Sequence, residues 1–477
     1  MLTLEFIIEA LTRIPVRAAT PISPVVFDSR EVVPGALFIA LPGESADGHQ
    51  FVNDAVKRGA VAAIIDRDIE TTYPALDLRP QAGAKFISPL PVPILLRVDN
   101  ALLALQEVAR QWHRRWRALP GRRTIGLTGS VGKSTIKEVI AAVLGVRYRV
   151  HKNIGSYNNE IGCPITVLGL TDDHERAALE MGFYVPGEIT LLTGIAPPDV
   201  GIVTNISPVH LERAGSLETI IRGKAELLEG LPPDGVAILN LDDPNVMAMR
   251  QYTQARIMTY GLDEKADVWA GSVEGLGLDG VHFQLHHGPE SRRVTLSMLG
   301  RHSVYPALGA AAVGLADGLT LDEIGQGLES VREHIRLRAL AGPRGSLLID
   351  DTYNASPVSV IAALNLLADL REYRHVVALG DMRELGSYEE EGHIKVGQRA
   401  AEVADWLVTV GERGKIIARA AVHGGMTPDQ VTVCDTHEQA IDALRAGIQS
   451  GDATLVKGSR AVHMEQIVAA LKAEASG

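Results

Sequence analysis

The sequence predicts an α/β protein of three domains. Three observations lead there. Short apolar strand-like runs alternate with helical patterns along most of the chain. The 477 residues exceed what one core serves, at about 150 residues per domain. A glycine-rich loop joins a strand-like run to a helical one near residue 130, and a fresh series of strand–helix alternation begins near residue 336. The expected domains are 1–98, 99–334 and 335–477. They are an N-terminal α/β domain, a central P-loop domain with a parallel sheet plus antiparallel strands, and a C-terminal doubly wound, Rossmann-like domain.

Taken in order, residues 1–16 read as an amphipathic helix. Glu5 and Glu9 interrupt the apolar stretch, which a secretory signal does not tolerate. Residues 24–41 hold two strand-like runs around a Pro34-Gly35 turn, and residues 54–66 a helix running into a strand. Several prolines and little periodicity make 73–97 a linker or irregular edge. Asn100 then caps a helix with Leu105, Val108, Ala109, Trp112 and Trp116 on one face. Arg110, Arg114, Arg115, Arg117, Arg122 and Arg123 make its end basic, as a solvated face or as a positive rim near a phosphate site. Strand-like runs at 124–128, 201–205 and 235–240 continue the α/β pattern, while 266–299 alternates and turns as antiparallel strands do. Five further strand candidates, at 346–350, 375–380, 406–411, 431–435 and 453–458, are separated by helical stretches. They predict a doubly wound, mostly parallel sheet.

Composition narrows the function. Hydrophobic residues are 46% and charged residues 22%, enough for full-sized cores. A net charge of −12 argues against a protein that grips nucleic acid through its phosphates. Cys163 and Cys434 are too few for a disulfide framework or a four-cysteine zinc site and are assigned to cores. No window offers about 20 clean apolar residues, so no membrane insertion is expected, and the location reads as cytoplasmic.

The strongest local signal is residues 128–135: Thr128, Gly129, Ser130, Val131, Gly132, Lys133, Ser134 and Thr135. It follows a strand and opens a helix, as a phosphate-binding loop requires. Glycines let backbone N–H groups approach phosphates, and the helix terminus adds positive partial charge. Lys133 would neutralise β- and γ-phosphates, and Ser134 or Thr135 would face a magnesium ion. Glu180 and His210 each follow a strand-like run, on the side where open α/β sheets bind ligands. Either residue alone is as easily structural.

The loop, Glu180-Met181-Gly182, residues 205–210 and Arg222-Gly223-Lys224-Ala225-Glu226 together resemble the ATP-dependent Mur ligases of peptidoglycan synthesis. The resemblance is closest to the type that adds D-alanyl-D-alanine. Asp28-Ser29-Arg30, Pro34-Gly35, Asp47-Gly48-His49, residues 158–162, 186–189, 350–357, 379–386 and 457–460 carry it along nearly the whole chain.

What the resemblance implies is an enzyme whose first domain binds the uridine nucleotide and whose second, P-loop ATPase-like, binds ATP. The third domain closes over both. ATP and Mg2+ serve as cofactors, and UDP-MurNAc-tripeptide and D-Ala-D-Ala as substrates of a monomer. By that likeness Lys133, Glu180, His210 and Lys224 are catalytic. Ser134, Glu180, His210 and a carbamylated Lys224 hold metal, and His302, Arg336 and Asp351 contact ATP. Ser29, Arg30, Asp47, His49, Asn158, Asn159, Lys457, Ser459 and Arg460 meet substrate. Asp28 can equally cap a turn, and Asp47 and His49 can equally pin a surface loop. Ser303 and Pro306 stand where the family carries asparagines assigned to adenine, and Ile335 where it carries a glycine. A folylpolyglutamate synthetase shares the loop style but not the Asp28–His49 block. A nucleotide-binding paralogue without ligase activity is the reading from another class.

Overall fold

The computed structural model describes residues 1–16, 20–43, 46–82, 90–208, 211–331 and 337–474. Three sheets organise them. The first contains β1 (Val25–Val26), β2 (Leu37–Ile39), β3 (Ala62–Ile65), β4 (Ala75–Asp77) and β5 (Ile94–Arg97) in the order β1-β2-β3-β5-β4. All its pairs are parallel, including the two runs that flank Pro34-Gly35. The turn therefore does not close a hairpin. The linker reading of 73–97 is corrected here: β4 is an edge, but β5 lies between β3 and β4 with Ile94, Leu95 and Leu96 buried.

The central sheet has nine strands: β6 (Arg123–Thr128), β7 (Val150–Lys152), β8 (Arg176–Glu180), β9 (Val200–Val203), β10 (Val236–Asn240), β11 (Arg256–Gly261), β12 (Val268–Gly275), β13 (Val281–His287) and β14 (Glu290–Leu296). The order is β14-β13-β12-β11-β10-β9-β6-β8-β7. The last three strands are joined antiparallel, as their alternation predicts. In the third sheet are β15 (Arg338–Ala341), β16 (Leu347–Asp351), β17 (Arg374–Gly380), β18 (Trp406–Val410), β19 (Val431–Cys434) and β20 (Asp452–Lys457), ordered β15-β16-β20-β17-β18-β19. Only β15 runs antiparallel to its neighbour.

Helix Ala101–Arg117 bridges the first and central sheets. The Asn100 side chain accepts from Leu103 N, and Leu105, Val108, Ala109, Trp112 and Trp116 are buried in one core continuous across both sheets. Phe6, from helix Leu4–Thr12, meets Trp112 edge-on at 4.9 Å. Three arginines near the end of this bridging helix are taken up by local partners and do not face a phosphate site. Arg117 pairs with Asp199, Arg123 with Asp317 at 3.0 Å, and Arg122 donates to the Asp172 carbonyl. They lie at the start of β6, about 20 Å of extended strand from its far end. Both cysteines are buried. No helix among the described residues is long and apolar enough to cross a membrane.

Candidate active site

The glycine-rich loop sits where β6 ends. Its neighbours β8 and β9 lie on opposite sides, so the loop opens at the point where strand order reverses, the place open α/β sheets bind ligands. Two glycines are required there. Gly132 caps helix Lys133–Gly145 at φ +81°, a left-handed conformation that favours glycine. A Cβ on Gly129 would lie 1.9 Å from Thr204 Oγ1. Asn205 braces the loop: its backbone carbonyl accepts from Ser130 N and its side-chain oxygen from Val131 N, both at 2.9 Å. Thr128 Oγ1 donates to the Met181 carbonyl at 2.9 Å, tying the loop's first residue to the end of β8.

Charged groups converge beneath the loop. The Lys133 ammonium donates to the Gly129 carbonyl at 2.8 Å and the Ser130 carbonyl at 3.3 Å. Glu180, at the end of β8 and 2% exposed, accepts from Ser134 Oγ at 2.9 Å and from Asn158 Nδ2 at 2.7 Å. Lys224, on helix Leu217–Glu229 and 1% exposed, donates to the same Gly129 carbonyl at 3.0 Å. Burial holds its amine well below the ordinary lysine range, and the neighbouring Lys133 charge pushes the same way. Phe183 lies 5.1 Å from the Lys224 nitrogen. That ring packs against the helix because position 223 is glycine; a Cβ would come within 1.8 Å of it.

The third sheet supplies the opposite wall. Lys457 ends β20 and is 2% exposed; its ammonium contacts Asp351 Oδ2 at 2.5 Å and the Asn354 carbonyl at 2.9 Å. Ser459 Oγ accepts from Arg383 N at 2.8 Å and donates to the Ala355 carbonyl. Between the walls lies a cleft of about 1000 Å³, lined by residues 130–136, Asn158, Asn159, Glu180, His302, Asp351, Lys457, Ser459 and Arg460 among others. Thr128, Gly129 and Lys224 stand behind the loop. Asn159 also starts helix Gly162–Leu168, its Oδ1 accepting from Gly162 N at 2.8 Å. Ser303 turns its hydroxyl onto the Leu299 carbonyl at 2.7 Å, and Pro306 sits in the first turn of helix Val304–Ala316, where proline is tolerated.

The first-sheet candidates stand apart from this cleft. Asp28 accepts from Arg30 N and Nε, both at 2.9 Å, and from Nη2 at 2.6 Å, which holds its carboxyl below the ordinary carboxylate range. Arg30 stays 84% exposed beside Ser29. His49 is buried: Nδ1 meets Asp47 Oδ1 at 2.7 Å, and Nε2 accepts from Asp66 N at 3.2 Å. Both ring nitrogens are thus used in pinning this loop to the end of β3. His210 and Arg336 lie outside the described residues, as does Ile335.

Asn205, Asn240, Tyr260 and Tyr305 also line the cleft and were not singled out as site residues. Asn205 and Asn240 each sit at a strand's carboxyl end, a positional signal; the tyrosines gave none. Lys137, one helical turn after Lys133, is also buried.

Three family models match the chain in succession: the Mur ligase family catalytic domain over 21–112, the Mur ligase middle domain over 127–314, and the Mur ligase glutamate ligase domain over 335–460. A UDP-N-acetylmuramoyl-tripeptide–D-alanyl-D-alanine ligase of Bacillus subtilis is 35% identical over 94% of this chain and 93% of its own. Its counterpart in Escherichia coli is 33% identical, with the same coverage. Among solved structures, MurF from Acinetobacter baumannii superposes with a TM-score of 0.82 at 30% identity, covering 99% of each chain. MurF ligase from Thermotoga maritima in complex with ADP gives 0.77 at 26%, covering 96% of this chain and 98% of that one.

Proposed function

The chain belongs to the Mur ligase family, and from that premise we infer how its cleft works. The protein is an ATP-dependent ligase that joins D-alanyl-D-alanine to UDP-MurNAc-tripeptide in peptidoglycan synthesis. In our reading an oxygen of the tripeptide's terminal carboxylate attacks the γ-phosphorus of ATP. The bond to the bridging oxygen breaks and ADP leaves. The dipeptide amine then attacks the acyl carbon, the carbon–oxygen bond to phosphate breaks, and the amine loses a proton. UDP-MurNAc-pentapeptide, ADP and phosphate result.

The observation that carries this reading is the cluster of Lys133, Ser134, Glu180 and Lys224 at the loop. Both steps pass through anionic states, and a buried, preorganised set of donors stabilises developing charge far better than water does. Lys133 would leave the Gly129 and Ser130 carbonyls for the β- and γ-phosphates. Ser134 Oγ and Glu180 are hard oxygen donors already side by side, which suits magnesium. Among the described residues no three His, Cys, Asp or Glu cluster as a metal cage, so phosphate oxygens and water would complete the shell, with His210 a further ligand by family likeness. Magnesium, when bound, would spread the phosphate charge. Lys224 shares one carbonyl with Lys133, an arrangement that favours one neutral amine. A neutral amine adds to carbon dioxide, loses a proton and becomes a carbamate, and this is the role assigned to Lys224.

Asn158, Asn159, Lys457, Ser459 and Arg460 would hold the tripeptide and dipeptide, and Ser29 and Arg30 the uridine nucleotide. Asp351 and His302 would meet ATP, as would Arg336. For Asp47 and His49 the pinning geometry favours an indirect part. The reaction is read as cytoplasmic, where ATP and UDP-linked precursors meet, and one chain supplies both cleft walls.

Phosphate release from Mg-ATP tests the reading, with UDP-MurNAc-tripeptide and either D-Ala-D-Ala, D-Ala or no amine. Release that requires both tripeptide and dipeptide is expected, and comparing lysine with diaminopimelate tripeptides fixes the third residue. Folded, ATP-binding protein that shows no dipeptide-dependent release would sink it.

A further inference from the structure

We propose that Lys137 is a positioning residue: by holding the 153–160 loop it couples the phosphate end of the cleft to the domain read as binding the uridine nucleotide. The proposal rests on the ligase reading above. Lys137 lies four residues after Lys133, on the same face of helix Lys133–Gly145, and is 1% exposed. A lysine this deeply buried is retained only when its charge is met. Its ammonium donates to the Gly155 carbonyl at 2.8 Å and stands 3.8 Å from Glu180 and 3.7 Å from Glu138.

The loop it grips touches three parts of the structure. At its base, Asn153 Oδ1 accepts from Glu180 N at 2.6 Å, and Asn153 Nδ2 donates to the Tyr157 carbonyl at 2.6 Å. In its middle, Asn158 Nδ2 holds the Glu180 carboxylate, and Gly182 N donates to the Asn158 carbonyl at 2.7 Å. At its outer side the Tyr157 ring meets Phe27, next to Asp28-Ser29-Arg30, with ring centroids 6.1 Å apart. The Lys137 ammonium is thus one anchor of a segment that reaches the phosphate-loop helix, the Glu180 carboxylate and Phe27 beside the first sheet. Transfer needs the tripeptide carboxylate in line with the γ-phosphate, and a misplacement near 1 Å costs on the order of 100-fold in rate.

The test compares wild type with Lys137→Met and Lys137→Arg. The readouts are steady-state kinetics, calorimetric affinity for ADP without metal, and hydrogen exchange at Tyr157 and Asn158. In Lys137→Met, KM for UDP-MurNAc-tripeptide should rise roughly 10-fold and kcat should fall, while ADP affinity stays within about 2-fold. Loop amides should exchange roughly 10-fold faster in that variant, and Lys137→Arg, which can still donate to Gly155, should recover part of each loss. Folded Lys137→Met with wild-type loop exchange and tripeptide KM overturns the proposal; so does an equal loss of ADP affinity, which marks general collapse of the loop. Should Lys137→Met not fold, Tyr157→Leu decides: a raised tripeptide KM with unchanged ADP affinity supports the coupling, and unchanged tripeptide KM overturns it. Absence of dipeptide-dependent release in wild type would instead overturn the ligase reading, leaving hydrogen exchange to judge the anchor.

Discussion

The cluster beneath the glycine-rich loop and the Asp28–Arg30 pair on the first sheet hold charge in opposite ways. Beneath the loop, Glu180 and Lys224 are almost wholly buried, and two lysines share the Gly129 carbonyl. On the first sheet, Arg30 is 84% exposed and its guanidinium is bound two residues away. Water screens the second pair and contributes little to the first. Removing one member of the buried set leaves its partners without compensation, whereas the exposed pair costs the fold almost nothing to lose. In the reading proposed above, the buried region would carry the chemistry and the exposed one a weak, reversible grip.

Substitutions can break that contrast. The largest effect is expected from Lys133→Ala, with kcat/KM down roughly 1000-fold by phosphate-release assay. A fall below about 10-fold would remove the loop from the mechanism. Next comes Lys224→Met, expected to lose on the order of 100-fold, with wild-type activity depressed in carbon-dioxide-stripped buffer and restored by bicarbonate. Lys224 also has a signature in stability. Its folded value lies well below the ordinary 10.5, so between those two values the unfolded chain binds the extra proton. Stability of uncarbamylated protein then rises with pH across that window and is lost as pH falls through the depressed value. Urea midpoints against pH should slope upward for wild type and flatten in Lys224→Met.

Two smaller effects sharpen the first-sheet side. Arg30→Ala should raise the tripeptide KM roughly 10-fold with little change in melting temperature. His49→Ala should do the reverse. Losing the link between Asp47 and Asp66 N costs about 1–3 kcal/mol in denaturant unfolding, with tripeptide KM unchanged. A raised KM in His49→Ala would return His49 to the substrate site.

The same contrast explains what could be read in advance. The phosphate loop was legible because local rules converge there: a strand, two glycines and a helix start within ten residues. Helix Ala101–Arg117 was legible from its cap and its apolar face. Strand Ile94–Arg97 was not, since three apolar residues and an arginine close to prolines carry no period, and only pairing with β3 and β4 makes them a strand. β15, short and only partly buried, gave no signal either. The arginines could not be judged because neither Asp199 nor Asp317 is near them in sequence. Lys137 gives no signal in the sequence, because its burial depends on a loop eighteen residues away.

The opposed wall formed by Lys457 bears on how the protein is born. Gly132 and Lys457 line one cleft, yet the second is translated long after the first, when the first two sheets have already left the ribosome. A nascent chain thus carries the phosphate-loop residues well before it has the second wall that faces them. In the proposed reading, catalytic power would then come only with the last part of the chain to be made.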